Sequence, residues 1–166
     1  MKWLLLFLFF PCIANCQTVH LDDDRIAYKG EINTNKVSDE KLNEALHAVM
    51  DHKGNKPISF IRDTAKGEII TSARMKLNST QSIINSLQYA ITVTESNAGY
   101  KYKIDSVFLV RKERGVETKI IPSEELVKGM DITGPVASQT EKLLNEIDMK
   151  FQRIIDLLAN YLKKEN

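Results

Sequence analysis

Residues 88–111 read QYAITVTESNAGYKYKIDSVFLVR, and the fold follows from how this stretch is interpreted. Tyr89, Ile91 and Val93 fall on one side of a period-two pattern, with Thr92 and Thr94 on the other. That period is the mark of a strand with one buried face. The alternation resumes with Tyr100, Tyr102, Ile104 and Phe108 on one side. Between the two runs, Ser96-Asn97-Ala98-Gly99 supplies residues that tolerate positive φ, so the chain can reverse in a short hairpin. A lone hairpin is only marginally stable in water, so a helix or further strands must cover its apolar face.

The flanking sequence supplies that cover. Residues 25–32, RIAYKGEI, alternate weakly and read as a first strand. Ser38 is placed to cap a helix, and Asp39 and Glu40 meet the positive end of its dipole. Leu42, Ala45, Leu46, Val49 and Met50 then form one apolar stripe, closed by Lys53 and Gly54. Residues 57–62 and 68–77 are apolar and β-branched, and the Gly-containing turn of residues 63–67 joins them as a second hairpin. Asn78-Ser79-Thr80 is read as a loop, although it matches an N-glycan acceptor, and residues 81–87 as a connection.

Downstream, residues 112–115 are charged and turn-like, Ile120-Ile121-Pro122 leads into a short helix over 123–127, and Pro135 opens a long final helix, residues 136–164. Its apolar residues step by three and four through Leu144, Ile147, Phe151, Ile154, Leu158 and Tyr161, with Leu143, Ile155, Leu157 and Leu162 widening the stripe. A stripe of that width suits packing on a sheet better than a two-stranded coiled coil.

The N-terminus has a different character. Met1-Lys2-Trp3 precedes an apolar run from Leu4 to Phe10 that is too short to span a bilayer, the pattern of a signal peptide over residues 1–16. Ala14 and Cys16 suit the positions three and one before a cut, leaving Gln17 first. The alternative is a lipobox, Ile13-Ala14-Asn15-Cys16, in which Cys16 is lipidated and kept. Residues 17–24 read as a mobile polar leader. Its Asp22-Asp23-Asp24 lacks the ligand spacing of a calcium loop and is read as solvated. The rest, residues 25–164, has single-domain length, with no second apolar segment long enough to cross a membrane. The only cysteines are Cys12 and Cys16, so an exported domain would hold together by its core alone. A formal net charge of +1, with both signs interleaved, implies no nucleic-acid or membrane-surface steering.

No chemistry announces itself. The chain lacks a G-x-S-x-G elbow, an H-E-x-x-H helix, a P-loop and a G-x-G-x-x-G turn. His47 and His52 are five apart, off a common helix face, and read as surface residues, while His20 sits in the polar leader. Carboxylates abound, 22 in all, but linear spacing cannot show whether two of them face each other. No metal or cofactor is expected.

The order of elements, β-α-β-β-β-β-α, is an α+β pattern. With the helix at Ser38-Asp39-Glu40-Lys41-Leu42, the turn Lys66-Gly67-Glu68-Ile69, the strands at residues 89–93 and 99–104, and the connector Pro122-Ser123-Glu124-Glu125, the chain resembles a family of exported bacterial proteins of unknown function described as TATA-binding-protein-like (TBP-like). The resemblance spans residues 26–162 and implies a curved antiparallel sheet with helices packed on one face. It brings no catalytic residue and no ligand.

The resulting expectation is a periplasmic or secreted, monomeric, non-catalytic envelope module that binds an envelope protein or glycan on the open sheet face, and not nucleic acid. Tyr100, Lys101, Tyr102 and Lys103 are the candidate contact strip, although alternating lysines also suit a strand showing its polar side to water. The other reading is an envelope-polymer hydrolase working through paired carboxylates. Intact mass of the protein from its native envelope separates the two leader readings: a soluble chain starting at Gln17 is expected, whereas acyl chains on Cys16 would establish the lipobox.

Overall fold

The computed structural model describes residues 19–52, 55–78, 84–113, 116–128 and 135–164. The signal segment, Cys16 and the Ser79-Thr80 part of the acceptor motif lie outside them. Strands β1 (Leu21–Asp22) and β2 (Arg25–Ile26) form a small ladder ahead of β3 (Tyr28–Asn33) and helix α1 (Asp39–Met50). Then come β4 (Asn55–Asp63), β5 (Glu68–Lys76), β6 (Ile84–Ser96), β7 (Gly99–Glu113) and β8 (Val116–Pro122), followed by α2 (Ser123–Lys128) and α3 (Pro135–Lys163). The main sheet is antiparallel, in the order β3-β7-β6-β5-β4, and β8 pairs with the far half of β7.

The central hairpin forms as its sequence requires. Ser96 pairs with Gly99 around Asn97-Ala98, and Ile91 faces Ile104 across the ladder. Gly99 has φ +141, and a Cβ there would lie 2.2 Å from the Ile32 carbonyl oxygen, so only glycine lets β7 approach β3 at this point. The second hairpin turns where Asp63 Oδ1 accepts from the amides of Ala65 and Lys66 and Gly67 adopts φ +63. The Ser38 hydroxyl caps α1 by accepting from the Lys41 amide.

Four readings change. Residues 21–24 of the expected leader are not free but form a hairpin with Arg25 and Ile26, because Asp23 and Asp24 both take positive φ, +49 and +61, a left-handed two-residue turn open to aspartate. Ile84–Leu87 extend β6, and residues 116–122 form β8 instead of a connector. Phe108 does not share a face with Tyr100, Tyr102 and Ile104. Ser106 takes φ +52 where the β6–β7 register slips, and this bulge puts Val107 and Leu109 into the core and Phe108 on the opposite face.

One face of the sheet is buried under both long helices. Leu42, Leu46, Val49 and Met50 of α1 and Leu144, Ile147, Ile154, Leu158 and Leu162 of α3 join Ile69, Leu87, Ile91, Val93, Ile104 and Leu109 of the sheet in one core. Tyr161 leaves the expected α3 stripe and is exposed, its place taken by Leu162. At the centre Phe151 is fully buried, with its ring 5.1 Å from Tyr28 and 5.2 Å from Tyr89 between centroids. The Tyr28 hydroxyl donates to the buried carboxylate of Asp148 at 2.8 Å, so α3 is tied to β3 by a polar bond as well as by packing. Burial first, and then this bond, holds the Tyr28 hydroxyl well above the ordinary phenol range.

Replacing Phe151 by Ala removes the ring shared by helix and sheet. A loss of about 3–5 kcal/mol in unfolding free energy is expected from urea denaturation. A loss under about 1 kcal/mol would mean that α3 is not the principal cover of the sheet.

Candidate functional site

The other face of the main sheet carries neither α1 nor α3, and the register shows what it presents. One cross-sheet row runs Ile61, Ile70, Thr92, Lys103 and Lys29, from the β4 edge to β3. The next is Ser59, Ser72, Ala90 and Asp105, with the two serine hydroxyls 2.6 Å apart. A third brings together Arg74, Gln88 and Phe108, the arginine donating to Gln88 Oε1 at 3.4 Å. The surface therefore grades from aliphatic at β4 through hydroxyls and amides at the centre to charge at β7 and β3.

The four residues expected to form a contact strip are split between the two faces. Tyr100 is fully buried beneath the helices, where its hydroxyl accepts from the Val37 amide at 2.9 Å and donates to the Val37 carbonyl at 3.2 Å. It fastens the segment that leads into α1. Tyr102 is half-buried on the same side, its ring lying over Gly30 of the neighbouring strand. Lys101 and Lys103 alone reach the helix-free face. Lys103 pairs with Asp105 at 2.7 Å, and this hydrogen bond raises the pKa of its ammonium above the ordinary lysine value. The tyrosines are thus structural, and the alternation that suggested a mixed strip reports two faces of one strand.

The feature missed in the sequence is the β4 edge. Ile58, Phe60 and Ile61 are 50%, 36% and 56% exposed, three of the seven large apolar residues that the described surface exposes. Among the described residues β4 pairs with β5 alone, so this strand presents free backbone groups beside apolar side chains. Phe60 stacks on His47 of α1 at 5.0 Å, which holds its ring toward the helix side, while Ile61 turns toward the open face. Arg62 reaches Asp39 of α1 at 2.5 Å and Pro57 precedes a register slip, two restraints at the ends of the apolar segment. In Ile58-Ser59-Phe60-Ile61 apolar residues fall on both parities of the strand, which was a signal for apolar groups on both faces.

Carboxylates do converge in one place. A hollow of about 460 Å³ beside the β1–β2 turn is lined by Asp22, Asp23, Asp105 and Glu124 together with Arg25 and Lys103. Arg25 holds Glu124 at 2.7 Å, Lys29 holds Asp22 at 3.3 Å and Lys103 holds Asp105, so three of the four acids are engaged in ion pairs. Among the described residues no group of three or more His, Cys, Asp or Glu is placed to hold a metal, and no helix is long and apolar enough to cross a membrane.

With this architecture in hand, the chain superimposes on a TBP-like protein from Parabacteroides distasonis with a TM-score of 0.55 at 14% identity, covering 87% of this chain and 98% of that one. The fold is TBP-like. A DUF4468 family protein from Bacteroides ovatus, a domain of unknown function, is similar with a TM-score of 0.54 at 13% identity over 92% of this chain and 95% of that one. Comparison of the sequence with protein families and with curated proteins gives no match. The packing of both α1 and α3 on one face of the sheet is what leaves the graded surface without a long helix over it.

Two substitutions separate structural from surface roles on β7. Tyr100→Phe is expected to lower unfolding free energy by about 1–2 kcal/mol, because it unpairs both backbone groups of Val37. Lys101→Ala should stay within about 0.5 kcal/mol of the parent. The reverse ranking in urea denaturation would return Tyr100 to the surface.

Proposed function

We propose that this domain is a non-catalytic interaction module of the cell envelope that binds an envelope protein through the helix-free sheet face and the adjoining β4 edge. The reading is supported by the exposure of Ile58, Phe60 and Ile61 on a nine-residue edge strand. An unpaired edge beside apolar side chains is the arrangement that accepts an added strand, with backbone hydrogen bonds giving affinity and alternate side chains giving selectivity. An envelope glycan is the alternative ligand for the hydroxyl-rich centre of the same face.

Location outside the cytoplasm belongs to this proposal and rests on the apolar leader of residues 1–16. Cys16 is the point of attachment if the leader is processed as a lipobox. The domain acts as a monomer, and the mixed charge of the open face argues against nucleic acid, whatever the name of the fold suggests. A hydrolase would have to work from the hollow at Asp22 and Glu124. There the ion pairs engage the oxygens that a catalytic pair would turn toward substrate. We therefore favour binding.

Placing the photo-crosslinker p-benzoylphenylalanine at position 61 in native envelopes should give one discrete protein adduct, suppressed by excess purified domain. The same group at position 44, exposed on α1, should give none. Equal labelling from both positions, or labelling from neither, would overturn the sheet-face reading.

A further inference from the structure

Away from the sheet face, a cleft of about 610 Å³ opens between the middle of α3 and the Met75 end of β5, within the size range of small-molecule sites. Lys142, Lys150 and Arg153 line it from α3 and Lys76 from the sheet side, against a single carboxylate, Glu146, on the turn between Lys142 and Lys150. In a chain whose opposite charges otherwise interleave to a net of +1, this is a local concentration of positive charge.

Glu146 does not offset it fully. Its Oε1 accepts from the Asn78 amide at 2.7 Å and lies 3.5 Å from Lys150 Nζ, so this acid serves the loop and one lysine. Lys76, Lys142 and Arg153 have no acidic partner among the described residues. The floor is apolar: Met75 and Ile154 are buried, and Met149 stands 57% exposed at the rim. His52 also lines the cleft, and its buried Nε2 has no hydrogen-bond partner. A buried polar atom without a partner is costly, and a ligand head group would satisfy it.

We propose that this cleft binds a free amphipathic organic anion, its carboxylate or phosphate head drawn by the positive charge of Lys76, Lys142 and Arg153 along the cleft and its apolar body over Met75, Met149 and Ile154. Charge complementarity selects the anion, since three cations lack counter-charges where a fourth is engaged. The exposed thioether selects an apolar body, because methionine adapts to irregular apolar partners. A polyanion would need the positive charge to continue beyond one cleft, and the neighbouring sheet face is mixed.

Decanoate is the probe, followed through the methyl resonances of Met75, Met149 and Ile154. Saturable shifts at these three residues are expected, with binding weakened at least tenfold in the double variant Lys142→Gln, Arg153→Gln, both surface positions whose replacement leaves the core intact. Decyl maltoside, with the same chain and no charge, and inorganic phosphate, with charge and no chain, should each bind at least tenfold more weakly than decanoate. Equal binding of either, an unchanged affinity in the double variant, or shifts centred on Ile61 and Ile70 would overturn the proposal. Association with anionic phospholipid vesicles in the absence of decanoate binding would also overturn it, by assigning the cleft to a membrane surface. The methyl shifts report on the α3 cleft and the crosslink on β4, so failure of one reading leaves the other testable.

Discussion

Phe151 lies fully buried between the rings of Tyr28 and Tyr89, and the arrangement of the chain depends on that contact between α3 and the sheet. A single antiparallel sheet with one apolar face is unstable until something covers it. Here two helices do so side by side, with α1 filling one part of the face and the 29-residue α3 crossing the rest. The aromatic cluster sets where α3 rests, and the Tyr28–Asp148 hydrogen bond adds a directional restraint that apolar packing lacks.

Covering one face so thoroughly leaves the other without a helix. Its side chains grade from isoleucine through serine and threonine to lysine and aspartate, a surface mixed enough to stay in water. Three of the exposed large apolar residues, Ile58, Phe60 and Ile61, lie together at the β4 edge, where backbone groups are also free. Arg62 and the slip after Pro57 flank this segment, and such features limit indiscriminate strand pairing. A partner that matches the edge would meet both apolar side chains and hydrogen-bonding groups.

The TBP-like neighbours share the architecture at 13–14% identity, a level at which fold persists while surfaces diverge. Function must therefore be argued from this chain's own surfaces. The two that stand out are chemically unlike: the β4 margin offers aliphatic contact and a free edge, whereas the α3 cleft offers cations over methionine. One suits a protein strand and the other a small anion, and they meet only at Asn55, where the start of β4 lines the cleft.

Much of the architecture was legible before any coordinates. Period-two alternation in residues 88–111, the Ser38 cap, the Gly67 turn and the three-and-four spacing through Phe151 each bias the backbone locally, so the order of helices and strands and the one-sided core could be read from the chain. What escaped were features decided by non-local pairing. The bulge at Ser106 reverses the face of Phe108, and nothing in Asp105-Ser106 announces it, because a bulge is defined by the count of residues on the partner strand. Tyr100 and Tyr102 alternate with Lys101 and Lys103 along β7, so the four do not form the single contact strip expected of them, and only packing shows that the helices cover the tyrosine side. The β4 edge and the cationic cleft belong wholly to tertiary structure. An apolar strand reads alike whether it lies inside a sheet or at its margin, and charges as distant in sequence as Lys76 and Arg153 meet only when α3 folds back over the sheet.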